Sequence, residues 1–173
     1  MRMLLHVCCG PCLSGVFPVL QNEEINVTAY FFNPNIQPQE ELGKRIGALV
    51  AYAGARKINT IINEEFNSDA FEKEVDCGDD RCANCYRMRL NETARYAKAN
   101  GFNTISTTLL LSPYQKHEKI REIGEVAARD YGIIFHYRDF RPYYKDSVLN
   151  SKSMGLYRQK YCGCGKSKTS KRS

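Results

Sequence analysis

The sequence contains no tryptophan, and no apolar run in it is long enough to cross a lipid bilayer. Its apolar start, Met1 to Val7, leads directly into two cysteines and is too short for the core of a signal peptide. We therefore expect a cytoplasmic protein without membrane association. The sequence also lacks internal repeats and linker-like segments, which excludes a repeat protein and argues against a second domain.

The composition is that of one globular domain. With 173 residues, 43% hydrophobic and 25% charged, the chain can bury a core of ordinary size. We expect a single catalytic domain over residues 1–165, followed by a basic, flexible tail over residues 166–173. The formal net charge of +6 suits a polyanionic partner, although part of this charge lies in the tail.

Short apolar segments alternate with longer helical patterns along the chain. The strand patterns fall at residues 2–8, 25–32, 59–63, 104–108 and 133–137. Strands separated by helices predict an α/β fold, a mainly parallel Rossmann-like sheet with helices on both faces. Functional loops of such sheets follow the carboxyl ends of the strands, so Cys8, Cys9 and the segment 112–115 should share one edge. Residues 140–153 break the pattern and predict a loop or short helix over the site.

Eight cysteines are unusual for a chain of this length. In a reducing compartment they are thiols, metal ligands or catalytic groups rather than a disulfide framework. Cys82 and Cys85 form a Cys-x-x-Cys pair at a predicted helix start, an arrangement typical of metal sites. Cys8 and Cys9 are adjacent, and both can face one metal only if the backbone turns at Gly10.

The two pairs together predict one centre with four thiolates. Zinc and a 4Fe-4S cluster both accept such a ligand set. Zinc ribbons usually combine two Cys-x-x-Cys pairs, so the Cys8-Cys9 dipeptide favours the cluster while leaving zinc open. Cys12 is either a ligand of a second metal or a small buried residue.

The segment Cys162-Gly163-Cys164 differs from the other cysteine pairs. Two cysteines one residue apart are a poor pair of ligands for one metal, but they can form a strained, reducible disulfide. The alternative is two exposed thiols near a chain end. Cys77 lies in a polar loop and receives no role.

Four blocks of this sequence, taken together, resemble the epoxyqueuosine reductases of the QueH type. They are His6-Val7-Cys8-Cys9-Gly10-Pro11-Cys12, the segment 81–89 with its Cys-x-x-Cys, Thr107-Thr108 leading to Ser112-Pro113-Tyr114-Gln115, and the segment 157–164. The blocks span nearly the whole chain in the same order. The resemblance implies removal of the epoxide oxygen from epoxyqueuosine at the wobble position of a tRNA, which yields queuosine.

The resemblance also implies a ligand set. Cys8, Cys9, Cys82 and Cys85 would bind a 4Fe-4S cluster, beside a further mononuclear iron or other metal ion. Cys162 and Cys164 would be a redox-active pair. The expected sheet resembles that of tRNA-thiolating ATPases with the PP-loop fold, but the Ser-Gly-Gly-x-Asp-Ser loop is missing, so ATP use is not expected.

A substrate of this kind lies in a single-stranded anticodon loop, where a base is splayed out and stacked on aromatic rings. The residues beside the cysteine motifs that suit tRNA contacts are Tyr86, Arg87, Arg89, Tyr114, Gln115, Tyr157 and Arg158. Each of them alone could equally be an ordinary surface residue. Two other functions remain open, a zinc-stabilised RNA-binding module without catalysis and a thiol–disulfide oxidoreductase. The sequence does not identify the electron donor.

Overall fold

A five-stranded, wholly parallel sheet forms the middle of the structure, a computed structural model that describes residues 1–78 and 80–169. The strands are β1 Arg2–His6, β2 Asn26–Phe31, β3 Asn59–Ile62, β4 Thr104–Thr107 and β5 Ile134–Phe135. Their spatial order is β3-β2-β1-β4-β5, so β1 is the central strand. The α/β fold and all five strands are therefore confirmed.

Seven helices are present in the described residues. They are α1 Gly10–Asn22, α2 Gln39–Arg56, α3 Ser68–Val75, α4 Arg81–Ala99, α5 His117–Asp130, α6 Tyr144–Ser153 and α7 Gly165–Thr169. Helix α1 packs against α2 and α6, whereas α4 packs against α5. Because parallel crossovers are right-handed, the two groups cover opposite faces of the sheet. Within these residues no helix combines the length and the apolar character that a membrane span requires.

The position of the central strand β1 determines which edge of the sheet forms a ligand crevice. Met3, Leu4 and Leu5 are completely buried because β1 has a helix layer on each face. The chain moves to one side of β1 to form β2 and to the other side to form β4. This reversal opens a crevice at the carboxyl ends of β1 and β4, the usual ligand site of such sheets.

The segment after β4 forms a tight turn before the next helix. Thr108–Leu111 form a 3-10 turn, which the Thr107 hydroxyl caps, and α5 begins only at His117. Helix α1 continues through Pro18 to Asn22. At the chain end, residues 165–169 form a helical turn, and residues 170–173 lie outside the described part. Residues 144–153 form helix α6, in agreement with the short-helix alternative.

Candidate metal centre and dithiol loop

The cysteines at the end of β1 form the tightest cluster of metal-ligating side chains in the described residues. The Sγ atoms of Cys8, Cys9 and Cys12 all lie within 4.8 Å of one another. Cys8 and Cys9 are buried, and Cys12 is partly exposed. Cys9 is the N-cap of α1, and its Sγ accepts a hydrogen bond from the Cys12 amide at 3.3 Å. The dipole of α1 therefore favours negative charge at this cluster.

The turn between β1 and α1 depends on Gly10. A Cβ atom at this position would lie 2.3 Å from the carbonyl oxygen of Ala48 on α2. Only glycine permits this approach of the two helices. The approach brings Cys8, Cys9 and Cys12 onto one side of the turn, although neighbouring strand residues normally point to opposite faces.

The three thiols differ in how readily each loses its proton. Hydrogen bonds from the Cys12 and Cys9 thiols hold the pKa of Cys8 well below its usual range. The same contact with Cys8 raises the pKa of Cys12, and burial raises that of Cys9. The Thr108 hydroxyl, which accepts from the Cys8 amide at 3.2 Å, also lies 3.5 Å from its Sγ. The cluster thus favours one thiolate, at Cys8, before any metal binds.

Cys82 and Cys85 lie in the first turn of α4. Asp80 caps this helix by accepting from the Ala83 amide at 3.0 Å. Cys82 is exposed, Cys85 is mostly covered, and burial raises the pKa of both thiols. They line one cavity together with Cys162 and Cys164.

Residues 157–164, which we call the strap, cross the site from α6 towards α7. The side-chain nitrogen of Gln159 donates to the Sγ of Cys9 at 2.9 Å. Farther along, the buried Arg45 donates to the carbonyl oxygens of Tyr161 and Cys162, both at 2.9 Å. The amide of Gln37 donates to the carbonyl oxygen of Gly163 at 2.9 Å. These contacts fix the strap over the cysteines.

Cys162 and Cys164 are free thiols, and none of the cysteines is in a disulfide. Arg81 donates to the Sγ of Cys164 from two nitrogens, at 3.3 and 3.4 Å, while the Cys162 thiol contacts the Ser167 hydroxyl at 2.9 Å. Gly163 between them has a φ of +116°, a conformation that favours glycine. The two thiols therefore have different surroundings: the guanidinium of Arg81 lies at hydrogen-bond distance from the Cys164 thiol, and a hydroxyl from the Cys162 thiol.

The closest group of cysteines includes one residue outside the predicted ligand set. The predicted centre consisted of Cys8, Cys9, Cys82 and Cys85, whereas the closest group is Cys8, Cys9 and Cys12. Cys8 and Cys12 line one cavity, and Cys82 and Cys85 line its neighbour. Cys162 and Gln115 line both cavities, so the strap lies between the two groups.

The residues predicted to contact tRNA divide into buried and accessible ones. Tyr86 is buried and donates from its hydroxyl to Gln115 at 2.5 Å, and Arg89 is buried beside Cys85. Both side chains are at most 4% exposed, and their contact with tRNA stays a prediction. Tyr114 is 60% exposed. Arg87 is exposed, Tyr157 donates to Glu41 at 2.5 Å, and Arg158 lines the cavity beside Cys8.

Sequence reasoning did not single out Gln159 and Arg45. Gln159 lies within the segment 157–164, one of the blocks that carry the family resemblance. The sequence around it gives no sign that it matters more than the residues beside it. Arg45 forms a pair with Glu41 one helical turn earlier, at 2.8 Å, and such a spacing usually indicates an exposed helix face. Only the fold shows that this pair is buried under the strap.

Comparison with known proteins gives one consistent result. A family model described as epoxyqueuosine reductase QueH matches residues 3–170. A protein of that name from Dehalococcoides mccartyi is 36% identical over 164 residues, covering 94% of this chain and 90% of the relative. One from Thermotoga maritima is 35% identical, covering 94% and 88%. One from Acinetobacter baylyi is 33% identical, covering 94% and 78%.

Proposed function

This chain belongs to the epoxyqueuosine reductase QueH family, and on that premise we propose that its gathered cysteines hold a 4Fe-4S cluster. The activity of the family is the reduction of epoxyqueuosine in tRNA to queuosine, so the chain is an oxidoreductase. We place the reacting nucleoside at the wobble position of the anticodon loop. The zinc-stabilised module and the general thiol–disulfide oxidoreductase are less consistent with this membership.

The observation that carries the cluster proposal is the all-sulfur cysteine group at the carboxyl end of β1. Three Sγ atoms lie within 4.8 Å of one another, and no carboxylate or imidazole belongs to this group within the described residues. Soft thiolate ligands suit iron–sulfur clusters and zinc far better than Mg²⁺ or Ca²⁺. The residues therefore fit a thiolate-bound metal centre. We assign Cys8, Cys9, Cys82 and Cys85 as cluster ligands.

Cys12 is the candidate ligand for a second metal ion. It is partly exposed and lines the cavity beside Cys8, which is the position that a group between the cluster and the substrate requires. Gln115, Arg158 and Gln159 also line that cavity. The epoxide would enter on this side.

The reaction needs two electrons and two protons: the epoxide becomes an alkene, both C–O bonds break, and the oxygen leaves as water. When bound, a 4Fe-4S cluster supplies electrons singly. Oxidation of the Cys162 and Cys164 thiols to a disulfide releases two electrons and two protons, which balances the reaction. A reductant whose identity we leave open then restores the dithiol.

Two arginines prepare the dithiol for this role. Arg81 directs two N–H groups at Cys164, and its own charge is held by Glu72 at 2.6 Å and Asp76 at 2.5 Å. Arg45 fixes the backbone carbonyls on the other side of the loop. Charge-assisted hydrogen bonds of this type favour a thiolate sulfur over a thiol.

The tRNA would approach the accessible part of the same edge. Tyr114 is the most exposed tyrosine beside the cavity, and Arg158 supplies a positive charge there. An aromatic ring and a guanidinium together suit a splayed base and its phosphate. The excess positive charge of the chain favours the encounter.

The decisive experiment is anaerobic incubation of the protein with epoxyqueuosine-containing tRNA and a strong reductant, followed by nucleoside mass analysis. We expect queuosine from the wild type and none from Cys85→Ser. Cys77→Ser is the matched control, because Cys77 is exposed and its thiol donates to the backbone carbonyl of Lys73 on α3. Colourless protein with stoichiometric zinc and no queuosine would favour the RNA-binding module instead.

A further inference from the structure

Arg89 is a buried cation without a carboxylate partner. It lies on α4 and is only 4% exposed, and a guanidinium remains charged at every physiological pH. The ion pairs found in residues 1–78 and 80–169 do not include it. Arg45, the other fully enclosed arginine, is neutralised by Glu41 at 2.8 Å. Burial of an uncompensated charge is costly, so Arg89 requires an anion of another kind.

The hydrogen-bond partners of Arg89 are neutral. Its Nε donates to the carbonyl oxygen of Cys85 at 3.4 Å, and Nη1 donates to Asn33 at 3.3 Å. Asn33 in turn donates to the carbonyl oxygen of Val7, the residue before Cys8, at 2.9 Å. The guanidinium of Arg89 thus connects, through Asn33, the end of β1 with the first turns of α4. These two segments carry the proposed ligands Cys8 and Cys85.

Sulfur is the source of negative charge that the fold offers to Arg89. Its side chain lines one cavity together with Cys82, Cys85, Cys162 and Cys164, and within the described residues no carboxylate lines this cavity. At 4% exposure the guanidinium presents little surface to a tRNA phosphate. Thiolates formed at this cavity when a metal binds would supply the missing negative charge.

We propose that Arg89 is the internal counter-ion of the thiolate metal centre and thereby a positioning residue for it. Four thiolates around a divalent ion carry a net negative charge, which a fixed positive charge nearby stabilises in a buried site. This inference rests on the proposed function only in taking Cys8 and Cys85 as members of the centre. It does not depend on whether the bound metal is an iron–sulfur cluster.

Titration with Co²⁺ tests the proposal without any turnover. The reduced protein without metal is titrated anaerobically, and binding is followed by the thiolate-to-cobalt absorption. Arg89→Met should weaken Co²⁺ binding at least tenfold, and Arg89→Lys should recover most of the loss. Arg95→Met is the matched control, because Arg95 lies on the same helix but is exposed and pairs with Glu92; it should bind as the wild type does.

The thermal stability of the metal-free protein separates this role from ordinary packing. Without metal, the buried charge of Arg89 has no anion to balance it and contributes little to stability. The metal-free Arg89→Met variant should therefore melt within about 3 °C of the wild type. A structural arginine would instead destabilise the metal-free protein when removed.

Several results would overturn the proposal. They are equal Co²⁺ affinity of Arg89→Met and wild type, failure of Arg89→Met to fold without metal, or a wild type that binds no Co²⁺. The protein could also bind Co²⁺ in an Arg89-dependent way and yet assemble no iron–sulfur chromophore. That result would support the counter-ion role of Arg89 and contradict the assignment of an iron–sulfur cluster.

Discussion

The side-chain nitrogen of Gln159 lies 2.9 Å from the Sγ of Cys9, although the two residues are 150 positions apart in the chain. The other amide atom, Oε1, is buried and has no hydrogen-bond partner in the described residues. Gln159 therefore presents one donor to a proposed metal ligand, while its other amide atom is a buried acceptor that is not used. The donor suits a residue that orders the centre.

Replacement of Gln159 by Met should lower turnover roughly tenfold or more, because a hydrogen bond to a charged group contributes about 1.5–3 kcal/mol. Queuosine formation under single-turnover conditions measures the effect. Gln21→Met is the control, since Gln21 is exposed on α1. Unchanged turnover of Gln159→Met would show that the contact with Cys9 does not matter to the reaction.

Gly10→Ala should destabilise the protein by about 1–3 kcal/mol or more, because the new Cβ would meet backbone atoms of α2. Urea unfolding measures the change in free energy. Gly47→Ala, in open space on α2, should be neutral or stabilising by about 0.5–1 kcal/mol. Equal stability of the two variants would contradict the close approach of α1 and α2.

The fold was predictable because its signals are local. Apolar runs such as Met3 to Leu5 mark buried parallel strands, and Gly10-Pro11 marks the turn into a helix. The grouping of the cysteines was not predictable to the same degree. Spacing identifies which cysteines follow strand and helix ends, but the path of the strap decides which of them share a cavity. Arg45 and Arg89 illustrate the same limit, because burial of a charge on a helix depends on long-range packing.

Arg45→Met should cost about 3–5 kcal/mol of stability, because it leaves the buried Glu41 carboxylate without its positive partner. It also removes the donors for the Tyr161 and Cys162 carbonyls, so the dithiol loop should loosen. Urea unfolding reports the first effect, and faster alkylation of the loop thiols reports the second. The exposed Lys44→Met should change neither quantity, and a similar loss in both variants would argue against the buried pair.

Stability should fall as the pH decreases below 6.5, in part because of His117. Burial lowers the pKa of this imidazole below its ordinary value of about 6.5, and its Nδ1 has no partner in the described residues. The unfolded chain then binds the proton more readily than the folded one, so the contribution is complete above pH 6.5 and is lost towards acid.

One proton accounts for at most about 1.4 kcal/mol per pH unit. His6, whose pKa burial lowers to about 4, adds a second contribution of the same sign. Urea unfolding between about pH 5 and 7 should therefore show a smaller slope for His117→Asn than for the wild type. An identical slope in the two proteins would mean that His117 charges as easily in the folded state as in the unfolded chain.

Arg158 should carry part of the tRNA affinity, because it is exposed, lines the cavity beside Cys8 and follows Tyr157 in the strap. A single phosphate contact adds about one unit to the slope of log affinity against log salt. Arg158→Gln should therefore weaken tRNA binding and flatten that slope by about one unit. Anaerobic binding of tRNA at several salt concentrations gives both values.

The control is Arg121→Gln, because Arg121 lies on the exposed face of α5 and pairs with Glu125. This substitution should leave the affinity and the slope unchanged. Equal effects of the two substitutions would indicate nonspecific attraction by net charge rather than a contact at the cavity.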